Sequence, residues 1–96
     1  MIDKDGSTYR VTAPMLIANA RALLDAGRSL LRVEQEKSIL IDLSAVADVD
    51  SSAIAVFFAW QRSAVERGMA LRLAGSPASL LSLADLYGVD TSLPLA

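Results

Sequence analysis

The chain has 96 residues, 53% of them hydrophobic, with a formal net charge of −2 and a pI near 4.8. This length predicts one domain over residues 1–96, with enough apolar residues to fill a core and some left for a partner to cover. The chain lacks cysteine and histidine, which excludes disulfides, zinc fingers and histidine-based triads, and it lacks the basic cluster that nucleic-acid binding needs.

The sequence gives no sign of a membrane or secretory segment. The first six residues are polar and lack the apolar core of a secretory signal. The longest apolar-rich run, residues 53–60, is far shorter than the ~20 residues that a membrane-spanning helix needs. We therefore expect a cytoplasmic protein.

The first third of the chain predicts a strand followed by a helix. Residues 8–12 alternate between polar and β-forming apolar side chains, and Pro14 ends this strand. Leucines and alanines recur at helical spacing over residues 16–31, but Gly27 interrupts the pattern, so we expect the helix to end or bend there. Residues 32–37 read as a charged connector.

The middle of the chain predicts a buried strand, an acidic turn and a strongly apolar helix. Residues 39–43 are almost continuously apolar, which is typical of a strand covered on both faces. After the turn, Asp50 or Ser51 is expected to cap a helix that runs to about Arg67 and ends at Gly68.

The last third predicts a strand over residues 70–74 and a helix that starts at Ser76 and Pro77 and is closed by Gly88. This helix is expected to bury Leu80, Leu83 or Ala84, and Tyr87. The tail, residues 89–96, is expected to be irregular.

The predicted element order alternates strand and helix three times. Connections of this kind favour an α/β fold, in which helices pack against a small parallel or mixed sheet.

The turn Asp50-Ser51-Ser52 is the first candidate site. Aspartate and serine are the preferred capping residues at a helix start, which is one explanation for them. The other is a recognition or phosphorylation hydroxyl: a phosphate on Ser51 would meet free N–H groups and the positive end of the helix dipole, opposed by the charges of Asp48 and Asp50. A nucleophilic role for Ser51 has no support, since the chain has no histidine base and no nucleophile elbow.

The acidic residues Asp42, Asp48 and Asp50 are the second candidate, as a magnesium site or a general-acid site. Solvated turn carboxylates are the commoner explanation of such a pattern. No Walker A motif accompanies them, so nucleotide hydrolysis is not supported and no cofactor is expected.

The helix after Ser51 is the third candidate, because apolar residues occupy two neighbouring stripes along it. One stripe contains Ile54, Phe57, Phe58 and Val65, and the other contains Ala53, Val56, Trp60 and Ala64. We expect one stripe to pack on the sheet and the other, with Val56 and Trp60, to contact another chain. Alternatively, the third helix or the tail covers it, or two copies of the chain pair there.

These residues resemble the STAS family, named for sulphate transporters and anti-sigma factor antagonists. The shared pattern is the apolar strand at 39–43, then Asp50-Ser51-Ser52-Ala53 opening an apolar helix, then the strand at 71–73 and the segments 76–80 and 86–89. It covers the last two-thirds of the chain well. The resemblance implies the STAS (anti-sigma factor antagonist-like) fold, a small mixed sheet with helices packed largely on one side.

Within the family, the chain is most similar to the small subunits of Mla-type phospholipid ABC transporters in Gram-negative bacteria. That similarity implies a non-enzymatic protein that docks on the transporter's ATPase subunit and, through it, on the permease at the inner membrane. It also implies that the docking surface comprises Asp50, Ser51, Ser52, Ala53, Val56 and Trp60.

Two other functions stay open. One is an anti-sigma factor antagonist whose Ser51, the family's serine or threonine position, is phosphorylated by an anti-sigma factor kinase. Kinase-regulated members usually have glycine at the position of Ala53, so the methyl group of Ala53 is expected to hinder a kinase. The other is a small nucleotide-binding protein.

Overall fold

The computed structural model describes residues 1–89 and 92–95, and contains four strands and three helices within them. The strands are β1 (Ile2–Asp5), β2 (Thr8–Val11), β3 (Ser38–Asp42) and β4 (Ala70–Ala74). The helices are α1 (Ile17–Val33), α2 (Ser52–Glu66) and α3 (Ala78–Leu86). Parts of the tail, Asp90, Thr91 and Ala96, lie outside the described residues.

The four strands form one mixed sheet in the order β1-β2-β3-β4. β1 pairs antiparallel with β2, whereas β2, β3 and β4 are parallel. The α/β class and the mixed sheet expected from the sequence are therefore confirmed. The sequence did not predict β1, because its residues, Ile-Asp-Lys-Asp, lack apolar alternation; the strand forms by pairing with β2 in a hairpin.

The sheet has one buried face and one open face. Alternate residues of the three parallel strands are almost fully buried: Tyr9, Val11, Ile39, Ile41, Leu71 and Leu73. On the opposite face, Arg10 and Arg72 are exposed, and Leu40 is half-buried between Thr8 on β2 and Arg72 on β4. The helices thus cover one side only, and the expectation that residues 39–43 are covered on both faces is wrong, because Leu40 is shielded only in part by neighbouring strands.

Helix α1 runs without a break through Gly27, contrary to the expected end or bend. Gly27 is buried and faces the indole of Trp60, whose Nε1 donates a hydrogen bond to the carbonyl oxygen of Leu24 at 3.2 Å. The residue that looked like a helix breaker is therefore the position where α1 and α2 come closest. A side chain there would occupy the space of the indole ring.

The end of α1 is tied to the sheet by a buried carboxylate. The hydroxyl of Tyr9 donates a hydrogen bond to Glu34, which also accepts from the backbone N–H groups of Gln35 and Glu36. The pKa of Tyr9 is raised, mainly by burial and secondly by the hydrogen bond to Glu34. The same hydrogen bond is the main reason why the pKa of Glu34 is lowered. The two residues fix the last turn of α1 over β2.

The last helix differs from expectation at both ends. α3 begins one residue later than predicted, with Pro77 as its N-cap, and Leu80 and Ala84 are its buried residues. Tyr87, expected in the core, is 58% exposed, because it follows the last turn of α3, where Gly88 takes a positive φ of 69° and turns the chain.

The tail is not wholly irregular, since Leu95 forms a parallel bridge with Leu73, and the Leu73 N–H bonds to the Pro94 oxygen. Among the helices of the described chain, none is both long and apolar enough to cross a membrane.

The contact between Gly27 and Trp60 gives a first prediction. A Cβ on Gly27 would lie 2.9 Å from Cδ1 of Trp60 and closer still to Nε1. Gly27→Ala should therefore lower the free energy of unfolding by about 1–3 kcal/mol through overpacking, although glycine to alanine inside a helix ordinarily stabilises. Urea denaturation followed by circular dichroism measures this.

Ser29→Ala, at an exposed position of the same helix, is the control and should change stability by less than about 0.5 kcal/mol. In a Trp60→Phe background, the cost of Gly27→Ala should shrink, because the smaller ring leaves room for the methyl group. An increase in stability for Gly27→Ala alone would contradict this account.

Candidate partner-docking surface

The turn before α2 is held against the start of α1 by a short parallel bridge. Met15 and Val49 are the bridge partners; the N–H of Met15 bonds to the oxygen of Asp48 at 2.9 Å, and the N–H of Asp50 bonds to the oxygen of Met15 at 3.1 Å. This pairing places the first residues of α1 beside the side chain of Asp50.

One carboxylate caps both helices. Oδ2 of Asp50 accepts a hydrogen bond from the backbone N–H of Ile17, the first residue of α1, at 2.8 Å. Oδ1 accepts from the N–H of Ser52, the first residue of α2, at 2.9 Å, and from the Ser52 hydroxyl. Leu16, the N-cap of α1, supplies no side-chain acceptor, so Asp50 provides the cap that α1 lacks.

These donors favour the ionised carboxylate. The pKa of Asp50 lies below its ordinary value, mainly because the Ser52 hydroxyl donates a hydrogen bond to it and secondly because the Ile17 N–H does. The positive ends of two helix dipoles point at the same group and act in the same direction. Of the two explanations for the Asp50-Ser51-Ser52 turn, capping accounts for Asp50 and Ser52.

Ser51 is the member of the turn that capping does not use. Its side chain makes no cap hydrogen bond and is exposed, and its backbone is helical, with φ −63° and ψ −20°. The Ser51 carbonyl already accepts the Ile54 N–H at 3.2 Å. The hydroxyl therefore stands at the N-terminus of α2, open to a partner or a modifying enzyme.

Three residues expected on the docking surface lie in the core instead. Trp60 is 1% exposed, and Ala53 and Val56 are also buried. The expected open stripe is thus corrected: α1 covers Trp60, rather than a second chain, the third helix or the tail. Gly27 makes this possible, because it lets the indole ring reach the backbone of α1.

The outward side of α2 is a different stripe, with Ala55, Phe58, Arg62 and Val65 spaced three and four residues apart. Val65 is 65% exposed, Ala55 is exposed and Phe58 is half-buried. Sequence reasoning missed this stripe because residues 53–60 are all apolar, so no face stands out by periodicity in the first two turns of α2. Phe58 and Val65 had been placed on an inward stripe with Phe57, which is fully buried.

Two grooves flank this outward stripe. The α2–α3 groove, of about 360 Å³, lies between α2 and the segment that directly follows α3, and it is lined by Ser51, Ile54, Ala55, Phe58, Tyr87 and Val89. The α1–α2 groove, of about 470 Å³, is lined by Ser52, by three arginines and by apolar residues of both helices. Ala55 borders both grooves, so α2 forms the ridge between them.

The three aspartates considered as magnesium ligands are not assembled into a site. Asp42 accepts hydrogen bonds from the Ser44 N–H at 2.9 Å and from Arg10 Nε at 3.2 Å, and Ser44 is the main cause of its lowered pKa. Asp50 is engaged separately at the two helix starts. Within residues 1–89 and 92–95, no group of three or more potential ligands is placed to hold a metal ion.

The double cap gives a second prediction, for Asp50→Asn. The amide keeps one acceptor oxygen and places a donor where the second oxygen stood, so one helix N-terminus loses its cap. The variant should unfold at a lower urea concentration than the wild type at pH 7.

The pH dependence follows from the lowered pKa of Asp50. The ionised carboxylate contributes stability above its unfolded-state pKa, about 3.9, and this contribution is lost as the pH falls through the folded-state pKa. The stability difference between wild type and Asp50→Asn should therefore be largest above pH 5 and shrink in acid. Asp48→Asn, at an exposed position, is the control, and an acid-independent difference for Asp50→Asn would contradict the capping role.

Comparison with known proteins supports the fold and identifies the family. A family model described as "Mlab, STAS domain" matches residues 2–95. No curated protein matches the chain.

Two solved structures share the fold. A sulfate transporter family protein from Wolinella succinogenes is 23% identical, with a TM-score of 0.68, and the match covers 90% of this chain and 69% of that one. An anti-sigma-factor antagonist (STAS) domain protein from Planctomyces limnophilus is 14% identical, with a TM-score of 0.76, over 99% of this chain and 86% of that one. The fold and the family match agree, and the chain belongs to the Mlab group of the STAS domain family.

Proposed function

We propose that this chain is a MlaB-like, non-catalytic subunit that docks on the ATPase of a Mla-type phospholipid ABC transporter and supports its assembly and activity. The observation that carries the proposal is the match of residues 2–95 to the Mlab family model. In this function the protein would act in the cytoplasm, held at the inner membrane by its ATPase partner and, indirectly, by the permease.

The surface that would bind the ATPase is the α2–α3 groove with the outward stripe of α2. It combines a half-buried phenylalanine, Phe58, a 58% exposed tyrosine, Tyr87, and the free hydroxyl of Ser51. Exposed aromatic side chains beside small residues are typical anchors of protein interfaces. Ser51 and Ala55 would contribute by their small size, which lets a partner approach the backbone of α2.

The mechanism is differential binding rather than chemistry. A subunit without a catalytic group can raise the activity of an ATPase only if it binds the active or assembled arrangement more tightly than the alternatives. A rigid surface suits this role. Asp50 fixes the start of α2 and the Trp60 contact holds α2 against α1, so the outward stripe of α2 reaches the partner already oriented.

A third prediction tests the docking surface with Ala55→Arg. A long charged side chain on the ridge of α2 would block close approach, so the affinity for the host's ABC ATPase should fall by at least about tenfold. Ala22→Arg, which introduces the same side chain at an exposed position of α1, is the matched control and should bind normally.

The measurement is co-purification of the tagged chain with the ATPase and permease in mild detergent, followed by a titration of the purified ATPase. Unfolding of either variant is checked by circular dichroism. Recovery of no transporter subunit with the wild-type chain, or equal binding by both arginine variants, would refute the proposed function.

The second candidate is an anti-sigma factor antagonist, and the exposed, uncapped hydroxyl of Ser51 favours it. The methyl group of Ala53, expected to hinder a kinase, is buried inside the fold, so it does not occupy the surface beside Ser51. For the third candidate, nucleotide binding, the chain offers no glycine-rich phosphate loop.

A fourth prediction separates the two leading functions at Ser51. In the transporter function, Ser51→Asp weakens ATPase binding, because it adds a charge near Asp50 at the docking surface, and intact-mass spectrometry finds little phosphate on the native protein. In the antagonist function, a partner kinase and ATP place one phosphate per chain, and Ser51→Ala abolishes it. Stoichiometric phosphorylation in the host would reject the transporter assignment.

A further inference from the structure

The α1–α2 groove has an apolar floor and a basic border. Its floor includes Ala20, Leu24 and Ala59, and Arg21, Arg28 and Arg62 line it as well. Ile17, at the end near Asp50, is 74% exposed. An exposed apolar channel with three cationic side chains is unusual on a chain whose net charge is −2.

The arginines of the groove are not needed by the fold. Arg28 and Arg62 form no salt bridge with any of residues 1–89 and 92–95, and Arg21 makes an exposed i,i+4 pair with Asp25 at 3.3 Å. Such exposed pairs contribute little to stability. The helix dipole explains a cation in the last turn, such as Arg32, but not Arg21 and Arg28, which lie further from the C-terminus of α1.

The spacing of the arginines indicates which kind of ligand would fit the groove. Arg21 and Arg28 are seven residues apart on one helix, which is two turns or about 10.5 Å, and Arg62 lines the groove from the other helix. A partner helix with carboxylates two turns apart would present them at the same spacing. Guanidinium groups also bind carboxylates in pairs of parallel hydrogen bonds, which favours arginine over lysine here.

We propose that the α1–α2 groove binds an acidic amphipathic helix of a partner protein. The apolar face of that helix lies on Ala20, Leu24 and Ala59, and its carboxylates, two turns apart, pair with Arg21 and Arg28, with Arg62 lining the groove from α2. This is helix-in-groove recognition, in which apolar anchors supply affinity and charge supplies orientation and specificity. The inference assigns a second binding surface and does not depend on which protein occupies the α2–α3 groove.

A helix fits this site better than an anionic membrane does. A lipid surface would need its cations and apolar side chains on a projecting face, whereas Val56 and Ala59 are buried at the bottom of the groove between two helices.

The fifth prediction uses a synthetic probe. An 18-residue capped peptide with a leucine and alanine stripe, and glutamates seven residues apart beside it, should bind the full chain in a salt-sensitive manner. In NMR spectra of the labelled protein, the largest shifts should fall on Ile17, Ala20 and Ala59. The same peptide with lysine in place of glutamate should bind at least about tenfold more weakly.

Charge reversal locates the site. The double variant Arg21→Glu, Arg28→Glu, which changes α1 alone, should weaken binding of the acidic peptide by at least about tenfold, whereas Arg72→Glu, on the open face of the sheet, should leave it unchanged. Binding of the ATPase through the α2–α3 groove is measured on the same variants. A failure of the acidic-helix proposal can then be distinguished from a failure of the proposed function.

Several results would overturn the proposal. These are no binding of the acidic peptide, equal binding of its lysine version, shifts centred on the α2–α3 groove, or equal loss with Arg72→Glu. Two further results would replace the acidic helix as the occupant: Arg28-dependent binding to phosphatidylglycerol vesicles without peptide binding, or self-association of the chain that Arg62→Glu abolishes.

Discussion

The arrangement of α1 and α2 at the surface of this protein depends on one carboxylate, which accepts a hydrogen bond from the first backbone N–H of each helix. Helix N-termini leave backbone donors unpaired, and a helix usually satisfies them with its own cap. Here Asp50 serves both α1 and α2, one oxygen for each. Both helices therefore start from the same point, and their relative position fixes the α1–α2 groove and the place of Ser51 on the ridge beside it.

The second constraint lies about three turns along the same pair of helices. Trp60 is packed against Gly27 and bonded to the backbone of α1, so its indole closes the space between the helices. This contact turns α2 so that Val56 and Trp60 face inward. Ala55, Phe58 and Val65 are left on the outward side of α2, which is the side proposed to dock a partner.

Charge is distributed unevenly over α1, α2 and the segment after α3. As a result, the two grooves beside α2 differ in character. The α2–α3 groove is lined by apolar and hydroxyl side chains, with Ser51 and Tyr87 at its border. The α1–α2 groove is bordered by arginines that form at most exposed pairs with the rest of the described chain. Under the two proposals, this distribution would let the chain hold two partner segments at once, one through shape and the other through charge, on either side of α2.

The sequence by itself determined the α/β class, the positions of three strands and three helices within a few residues, the family pattern around Asp50-Ser51-Ser52, and the capping chemistry of that turn. These features are local: they follow from periodicity, glycine and serine positions, and the apolar character of residues 39–43. Only the tertiary structure decided that β1 exists, that one face of the sheet is open, that Asp50 caps a second helix, and that Trp60 is core rather than interface. The reason is physical: residues 53–60 of α2 are all apolar, so their pattern has no preferred inner face, and the orientation of the helix depends on Gly27, which lies 33 residues before Trp60.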